Sequence, residues 1–198
     1  AFFEAFDPGT LEIRHAGGRP RVLGVVAEAD EGVVYDVLGI NGHRTAAWLR
    51  WDPSLLRDQL SNRPPDLAIL SYGGNEALDP ALGMGRYEEQ LRAAVQRLRT
   101  VAPRASCLLV GPLATCPEHA SRMREVTAIQ RRVAPEVSCA FWDPSRVMGG
   151  HGGLCRRWAR FPGMVSGDRL HLGPEGYEAV GRRFTEALLD AAAPVPID

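Results

Sequence analysis

This sequence contains no lysine, has almost no net charge and has no long hydrophobic run. These absences exclude several classes of function. All 23 basic residues are arginine, and the 24 acidic residues leave a net charge of −1. Nucleic-acid binding draws most of its affinity from basic side chains that neutralise phosphates, so we expect no nucleic-acid partner. No apolar stretch approaches the roughly 20 residues that a helix needs to cross a bilayer. The sequence therefore predicts no membrane span.

Cysteine is scarce too, and its spacing argues against a metal centre. The four cysteines form no Cys-x-x-Cys pair and no zinc-ligand spacing. Cys107 and Cys139 lie in apolar runs, where a cysteine is usually a small buried side chain. His151 and Cys155 share a glycine-rich stretch, which is more often a loop than a metal site. We expect no metal here.

Composition and hydrophobic periodicity predict an α/β protein. The 198 residues are 45% hydrophobic and 24% charged, as in globular domains, and after residue 31 short apolar runs alternate with runs at helical spacing. We predict strands at Val33–Val37, Leu67–Ser71, Cys107–Val110 and Cys139–Trp142. Helices are predicted over Thr45–Leu60 with a break near Pro53, from Tyr87 to before Pro103, from Met123 to Pro135, and from Pro174 to Leu188. This order predicts a three-layer α/β/α sandwich with a parallel sheet over residues 32–190.

The two ends of the chain depart from this pattern. In residues 1–31, the β-like runs Thr10–Arg14 and Val22–Val26 alternate with glycine and proline, which is typical of antiparallel strands joined by turns. We therefore predict a short β-rich segment before the α/β domain. Residues 191–198 are a tail of alanine and proline.

Polar residues follow three of the predicted strands, where parallel α/β proteins bind their ligands. Asp168 and His171 end the loop before the last helix. An imidazole becomes a general base when a carboxylate holds its N–H-bearing nitrogen and leaves the other nitrogen free. The three-residue spacing allows that contact, although a solvated aspartate and a surface histidine remain the alternative.

Asn75 and Gly42 are candidate donors to an oxyanion. Asn75 follows two glycines at the end of a predicted strand, where its side-chain amide can point into the ligand crevice. Gly42 can expose its backbone N–H to a ligand at little steric cost. Ordinary turns also use Gly-Gly-Asn and Asn-Gly, so either motif alone is ambiguous.

Taken together, these motifs resemble conserved blocks of the SGNH (GDSL-type) hydrolases over most of the chain. The blocks are Gly39-Ile40-Asn41-Gly42, Gly73-Gly74-Asn75-Glu76 and Asp168-x-x-His171 before a terminal helix. Members of this family are serine esterases and acyl hydrolases with a flavodoxin-like α/β/α fold. The resemblance implies that His171 is the catalytic base, that Asp168 orients it, and that Asn75 and the N–H of Gly42 form the oxyanion hole.

The family's nucleophile is absent from this sequence. It is a serine in a Gly-Asp-Ser block after the first strand, and no Gly-Asp-Ser occurs here. Ser71 closes a predicted strand and Ser166 precedes Asp168, but neither lies in a sequence typical of a nucleophile elbow. The missing block also carries a strand, so the sheet would keep unpaired backbone groups without it. We expect an N-terminal segment of a longer esterase to supply the serine. A separate chain, or loss of catalysis, is the alternative.

The β-rich N-terminal segment resembles a feature of one branch of the family. In some carbohydrate and peptidoglycan O-acetyl esterases a β-sandwich is inserted after the first block, and residues 1–31 resemble its last strands. This branch implies removal of acetyl or other short acyl groups from a small ester or glycan substrate. It also implies no metal or organic cofactor and a secreted or periplasmic location.

Two other functions remain open. A lipid or thioester acyl hydrolase would need an apolar groove, to which Trp48 and Trp51 could contribute, although core packing is the more usual role. A non-catalytic glycan-binding module would keep the fold without the nucleophile. A flavin or nucleotide binder fits poorly, because no phosphate-binding glycine-rich loop follows a first strand.

Overall fold

A computed structural model describes residues 12–22, 24–26, 28–29, 31–114 and 116–192. The chain divides into two units, Ala1–Leu38 and Gly39–Asp198. In the described part, the second unit has seven α-helices and three strands. They are α1 (Thr45–Trp48), α2 (Pro53–Asn62), β1 (Leu67–Leu70), α3 (Gly74–Ala77), α4 (Met84–Val101), β2 (Ser106–Val110), α5 (Ala120–Glu136), β3 (Ala140–Trp142), α6 (Gly153–Arg156) and α7 (Pro174–Ala192). None of the described helices is long and apolar enough to cross a membrane.

The three strands form a parallel sheet in the order β1-β2-β3. Leu67 of β1 lies opposite Ser106 of β2, and Leu108 of β2 lies opposite Ala140 of β3. Helix α4 connects β1 to β2 and α5 connects β2 to β3, which are two βαβ units. The predicted parallel α/β fold is confirmed for these elements.

Helices cover both faces of the sheet, as the three-layer prediction requires. Neighbouring residues of a strand point to opposite faces, so Phe141 and Trp142 of β3 identify the two sides. Phe141 packs against the core cluster built from the strands, α4 and α5. Trp142 packs against a second cluster and meets Phe184 of α7 edge-on, with ring centroids 4.9 Å apart. Helices α4 and α5 therefore lie on one face and α7 on the other.

The break predicted near Pro53 separates α1 from α2. Asp52 caps α2, because its side chain accepts hydrogen bonds from the N–H groups of Ser54 and Leu55 at 2.7 and 3.1 Å. Pro53 occupies the first helical position, where its missing N–H is not needed.

The strand predicted over Val33–Val37 was wrong. All five residues are exposed, Val33 by 97%, and none is in a strand. Hydrophobic composition alone does not make a strand, because a strand also needs a neighbour that pairs with its backbone. Of the predicted runs in 1–31, residues 10, 11 and 23 lie outside the described residues, and the rest are exposed and without strand. Helix α7 extends to Ala192, and residues 193–198 of the predicted tail lie outside the described part.

The cysteines form two disulfides, which the sequence did not predict. Cys107 of β2 is bonded to Cys139, just before β3; both are buried as predicted, but they are joined by a bond that the spacing did not indicate. Cys116 is bonded to Cys155 of α6. The parallel sheet brings the first pair together across 32 residues of sequence. His151 is buried against Thr127, with Nε2 at 2.8 Å from its hydroxyl.

Candidate active site

The loop that carries Asp168 and His171 is closed by its own backbone. Ser166 donates its N–H to the carbonyl of His171 at 3.0 Å. One residue further out, Val165 and Leu172 form an antiparallel bridge. The loop therefore holds both candidate catalytic side chains within one tight turn before α7.

Asp168 contacts the imidazole of His171, as the three-residue spacing allows. The carboxylate Oδ2 lies 2.6 Å from Nδ1 of the imidazole. Oδ1 accepts hydrogen bonds from the N–H of His171 at 3.0 Å, from the N–H of Leu170 at 2.9 Å and from the hydroxyl of Ser166. These bonds, the His171 N–H first among them, hold the pKa of Asp168 well below its usual range.

An ionised carboxylate can only accept, so the Nδ1 of His171 is the nitrogen that carries the proton. Nε2 is then left as the basic nitrogen of the ring. The His171 side chain is 62% exposed, which leaves it open to a substrate. The pair has the geometry of a general base and its orienting group.

The second disulfide lies against this loop. The Sγ of Cys116 is 3.2 Å from the carbonyl oxygen of Arg169, and the Arg169 guanidinium donates to the Sγ of Cys155 at 3.3 Å. Arg169 has a left-handed backbone, with φ of 58°, a conformation that needs support from its surroundings. The disulfide supports the middle of the loop, a contact that no spacing in the sequence indicates.

Asn75 and the segment after Gly42 meet in the structure. Asn75 lies in α3, and its Nδ2 donates to the carbonyl of His43 at 3.1 Å. Because an amide has two N–H donors, this bond orients the group and leaves one donor for a ligand. Gly42 precedes His43 and has φ of 74°, with no atom within 4 Å of the place a Cβ would occupy. The two predicted oxyanion donors therefore belong to loops in direct contact.

Gly73 shapes the turn that presents Asn75. Its φ is 113°, and a Cβ there would lie 2.6 Å from the Cγ1 of Val126. The turn is packed from below by Gln130, whose Nε2 donates to the carbonyl of Tyr72 at 2.7 Å. Only glycine fits this position without a shift of the backbone or of α5.

Replacing Gly73 by alanine should destabilise the protein. We expect a loss of about 2–4 kcal/mol in the free energy of unfolding, from the left-handed backbone and the overlap with Val126. Denaturant titration measures it. Gly74→Ala is the matched control, because Gly74 is helical with nothing within 4 Å of a Cβ. Equal unfolding midpoints for the two variants would contradict the conclusion that only glycine fits at position 73.

The Asn75–Gly42 pair and the Asp168–His171 pair come from opposite ends of the sheet. Asn75 follows β1, and the loop with Asp168 and His171 comes after β3. Within the part of the chain that the structure describes, no hydrogen bond joins the two pairs. One pocket shared by Asp168, His171, Asn75 and Gly42 stays a prediction.

Ser166 is not placed as a nucleophile. Its hydroxyl donates to the Oδ1 of Asp168, so it is hydrogen-bonded to the carboxylate and not to the Nε2 of His171. The sequence placed Ser166 near the pair but did not indicate this supporting role. Two further residues that join the Gly42 and Asn75 segments, Thr45 and Glu76, were not identified from the sequence. Glu76 is nevertheless part of the Gly73-Gly74-Asn75-Glu76 motif.

Several solved structures with a similar fold are described as esterases. A peptidoglycan O-acetylesterase has a TM-score of 0.70 and 27% identity, over 78% of this chain and 45% of that chain. An acetylxylan esterase from Geobacillus stearothermophilus has a TM-score of 0.56 and 15% identity, over 73% and 67%. A carbohydrate esterase family 3 protein from Talaromyces cellulolyticus has a TM-score of 0.57 and 14% identity, over 76% and 68%. The last two show the fold alone.

The present chain spans less than half the length of the peptidoglycan O-acetylesterase. Among curated protein sequences, none matches it significantly. The model of the GDSL-like lipase/acylhydrolase family, however, matches residues 9–179. That match includes the Gly42 segment, the Asn75 segment and the Asp168–His171 loop. The chain belongs to the GDSL-like lipase/acylhydrolase family.

Proposed function

We propose that this chain carries the general base and the oxyanion hole of a serine esterase that removes acetyl or other short acyl groups from a carbohydrate ester. The observation that supports it most is the 2.6 Å contact between Asp168 and the Nδ1 of His171. It leaves Nε2 of an exposed imidazole free to take a proton. The contact between Asn75 and the loop of Gly42 supports the proposal that the Asn75 amide and the Gly42 N–H donate to the negative charge that develops on the ester oxygen.

The reaction follows from these roles. The Nε2 of His171 accepts the proton of a serine hydroxyl while the serine oxygen attacks the ester carbonyl. Asn75 and the N–H of Gly42 donate to the tetrahedral oxyanion. The protonated imidazole gives its proton to the sugar oxygen as the bond from that oxygen to the carbonyl carbon breaks, and an acyl-serine remains. Water, deprotonated by His171, then attacks the acyl group, and the imidazolium returns the proton to the serine oxygen as the acid leaves.

The serine is proposed to come from a segment outside these 198 residues. No Gly-Asp-Ser occurs in the sequence, and the hydroxyl of Ser166 is engaged with Asp168. The coverage of 45% of the peptidoglycan O-acetylesterase also supports a longer protein. A segment of the same polypeptide is the simplest source.

The short-acyl carbohydrate substrate is supported by the structural relatives. The one with the highest identity of the three is a peptidoglycan O-acetylesterase, and two further relatives are described as acetylxylan and carbohydrate esterases. The lipid or thioester alternative loses its main support, because Trp48 is buried and its ring lies 5.5 Å from that of Trp51. A buried tryptophan does not line an acyl groove.

A secreted or periplasmic location is part of the proposal. The described residues contain two disulfides, which persist in oxidising compartments and are rare in the cytosol.

The experiment is activity-based labelling of the full-length protein with a fluorophosphonate, which reacts with an activated serine. We expect label on the longer polypeptide and none on residues 1–198 alone. With acetyl and long-chain acyl esters of one alcohol, kcat/KM should favour acetyl by at least about tenfold.

Three outcomes would count against the proposal. Label on residues 1–198 would show that the nucleophile lies within this chain. A preference for long acyl chains would favour the lipid hydrolase. A full-length protein that takes no label and turns over no ester, yet binds a glycan, would identify a non-catalytic module.

A further inference from the structure

Glu76 is a buried side chain that joins the two loops of the candidate oxyanion hole. It is 0% exposed. Its Oε1 accepts hydrogen bonds from the N–H and the hydroxyl of Thr45, at 2.6 and 2.7 Å. Its Oε2 accepts from the N–H of Gly73 at 2.9 Å. We call these three bonds the Glu76 bridge.

The bridge acts on the same two segments as Asn75. Asn75 donates to the carbonyl of His43, and Glu76, the next residue, accepts from Thr45, two positions further along that loop. Two consecutive side chains of α3 thus bind alternate residues of the loop that begins at Gly42. An ion pair between Arg44 and Asp79 lies beside them.

Glu76 has a local structural role, because its bond with the N–H of Gly73 caps the start of α3. Its bonds to Thr45 go beyond that cap, and an apolar side chain here would leave all three buried donors without an acceptor. The three donors to Glu76 are two backbone N–H groups and one hydroxyl. What the carboxylate adds is a fixed distance between Thr45 and Gly73.

We propose that Glu76 is a positioning residue of the oxyanion hole, which holds the Gly42 loop against the Asn75 turn so that both donors address one substrate oxygen. The inference rests on the proposed function, since an oxyanion forms only if the chain takes part in ester hydrolysis. Oxyanion donors act at about 2.7–3.1 Å from the developing charge, and a misplacement of about 1 Å can cost about 100-fold in rate. Loss of the bridge therefore affects the transition state more than substrate binding.

Glu76→Gln in the full-length protein tests this. Glutamine keeps the size but has one acceptor oxygen, so its NH₂ group would face either Thr45 or Gly73, which are both donors. We expect kcat to fall by about 10- to 100-fold, with KM within about threefold of wild type.

The same substitution in an Asn75→Ala background separates positioning from general stability. Asn75→Ala removes one oxyanion donor and should by itself lower kcat by about 10²–10³-fold. Glu76 then has one donor fewer to position, so the loss caused by Glu76→Gln should shrink at least about fivefold. Equal losses in both backgrounds would overturn the proposal.

Two further variants keep the test informative. Glu89→Gln, an exposed glutamate of α4, is the matched control and should leave kcat unchanged. If Glu76→Gln fails to fold, Thr45→Val removes only the hydroxyl bond of the bridge. It should lower kcat by about 3- to 10-fold, again less in the Asn75→Ala background.

Amide hydrogen exchange reports on the bridge without ester turnover. In Glu76→Gln, the N–H of Thr45 or of Gly73 should exchange at least about tenfold faster, because one of the two loses its acceptor. Unchanged exchange at both would overturn the proposal. A wild-type protein that hydrolyses no ester would instead defeat the proposed function, and the two failures are thereby distinguished.

Discussion

Replacing His171 by alanine should lower the kcat of the full-length esterase by about 10⁴-fold or more, with a small effect on KM. His171 is the base of the proposed reaction, and its Nδ1 is already held by Asp168. Without the imidazole, nothing at this position takes the proton of the serine or returns it to the leaving group. Steady-state hydrolysis of an acetyl ester measures the loss.

His119→Ala is the matched control for this experiment. His119 is exposed and lies in the short turn before α5, so its loss should leave kcat within about twofold. A His171→Ala enzyme that keeps its activity within a few-fold of wild type would remove the assignment of the base, and with it the proposed mechanism.

Asp168→Asn should have the second-largest effect, a fall in kcat of about 10⁴-fold at neutral pH. An asparagine can present its NH₂ group to Nδ1 and stabilise the opposite tautomer of His171, in which Nε2 carries the proton and cannot act as a base. It also removes the charge that stabilises the imidazolium in the transition state. Full pH–rate profiles of the two proteins measure both effects.

The stability of the same variant should depend on pH in a defined direction. Hydrogen bonds hold the pKa of Asp168 below that of an unfolded aspartate, which is about 3.9. The carboxylate therefore stabilises the fold above this value, and that contribution is lost as the pH falls toward the lowered pKa. Wild type should exceed Asp168→Asn in stability at pH 7, and the difference should shrink below about pH 4.

Asp58→Asn is the control for both measurements. Asp58 is an exposed residue of α2, remote in sequence from the catalytic loop, so the substitution should change neither the pH–rate profile nor the acid dependence of stability. If Asp168→Asn retained more than about a tenth of the wild-type kcat, Asp168 would not be the orienting group.

Local features of this protein were predictable from its sequence. The Asp168–His171 contact spans three residues and forms within one turn, so the spacing allowed it and the family resemblance implied it. The apolar spacing of α4 predicted the face with Leu91 and Val95, which are buried. Pro53 indicated the break before α2 and Pro174 the start of α7, because proline is favoured in the first turn of a helix.

Features that depend on a distant neighbour were not predictable in the same way. Val33–Val37 has the composition of a strand, but composition does not supply the backbone partner that a strand needs. The cysteines carry no spacing that indicates which pairs are bonded. The role of Glu76 requires Thr45, which lies 31 residues away along the chain.

By itself, the sequence determined the order of three strands and of the longer helices but not the short helices α3 and α6, and it allowed the local pairing of a histidine with an aspartate. Only the tertiary structure decided which cysteines bond, which loop Asn75 contacts, and that the buried Glu76 joins Thr45 to Gly73. The reason is physical: periodicity and turn chemistry act over a few residues, whereas tertiary packing brings together residues that lie 30 or more positions apart.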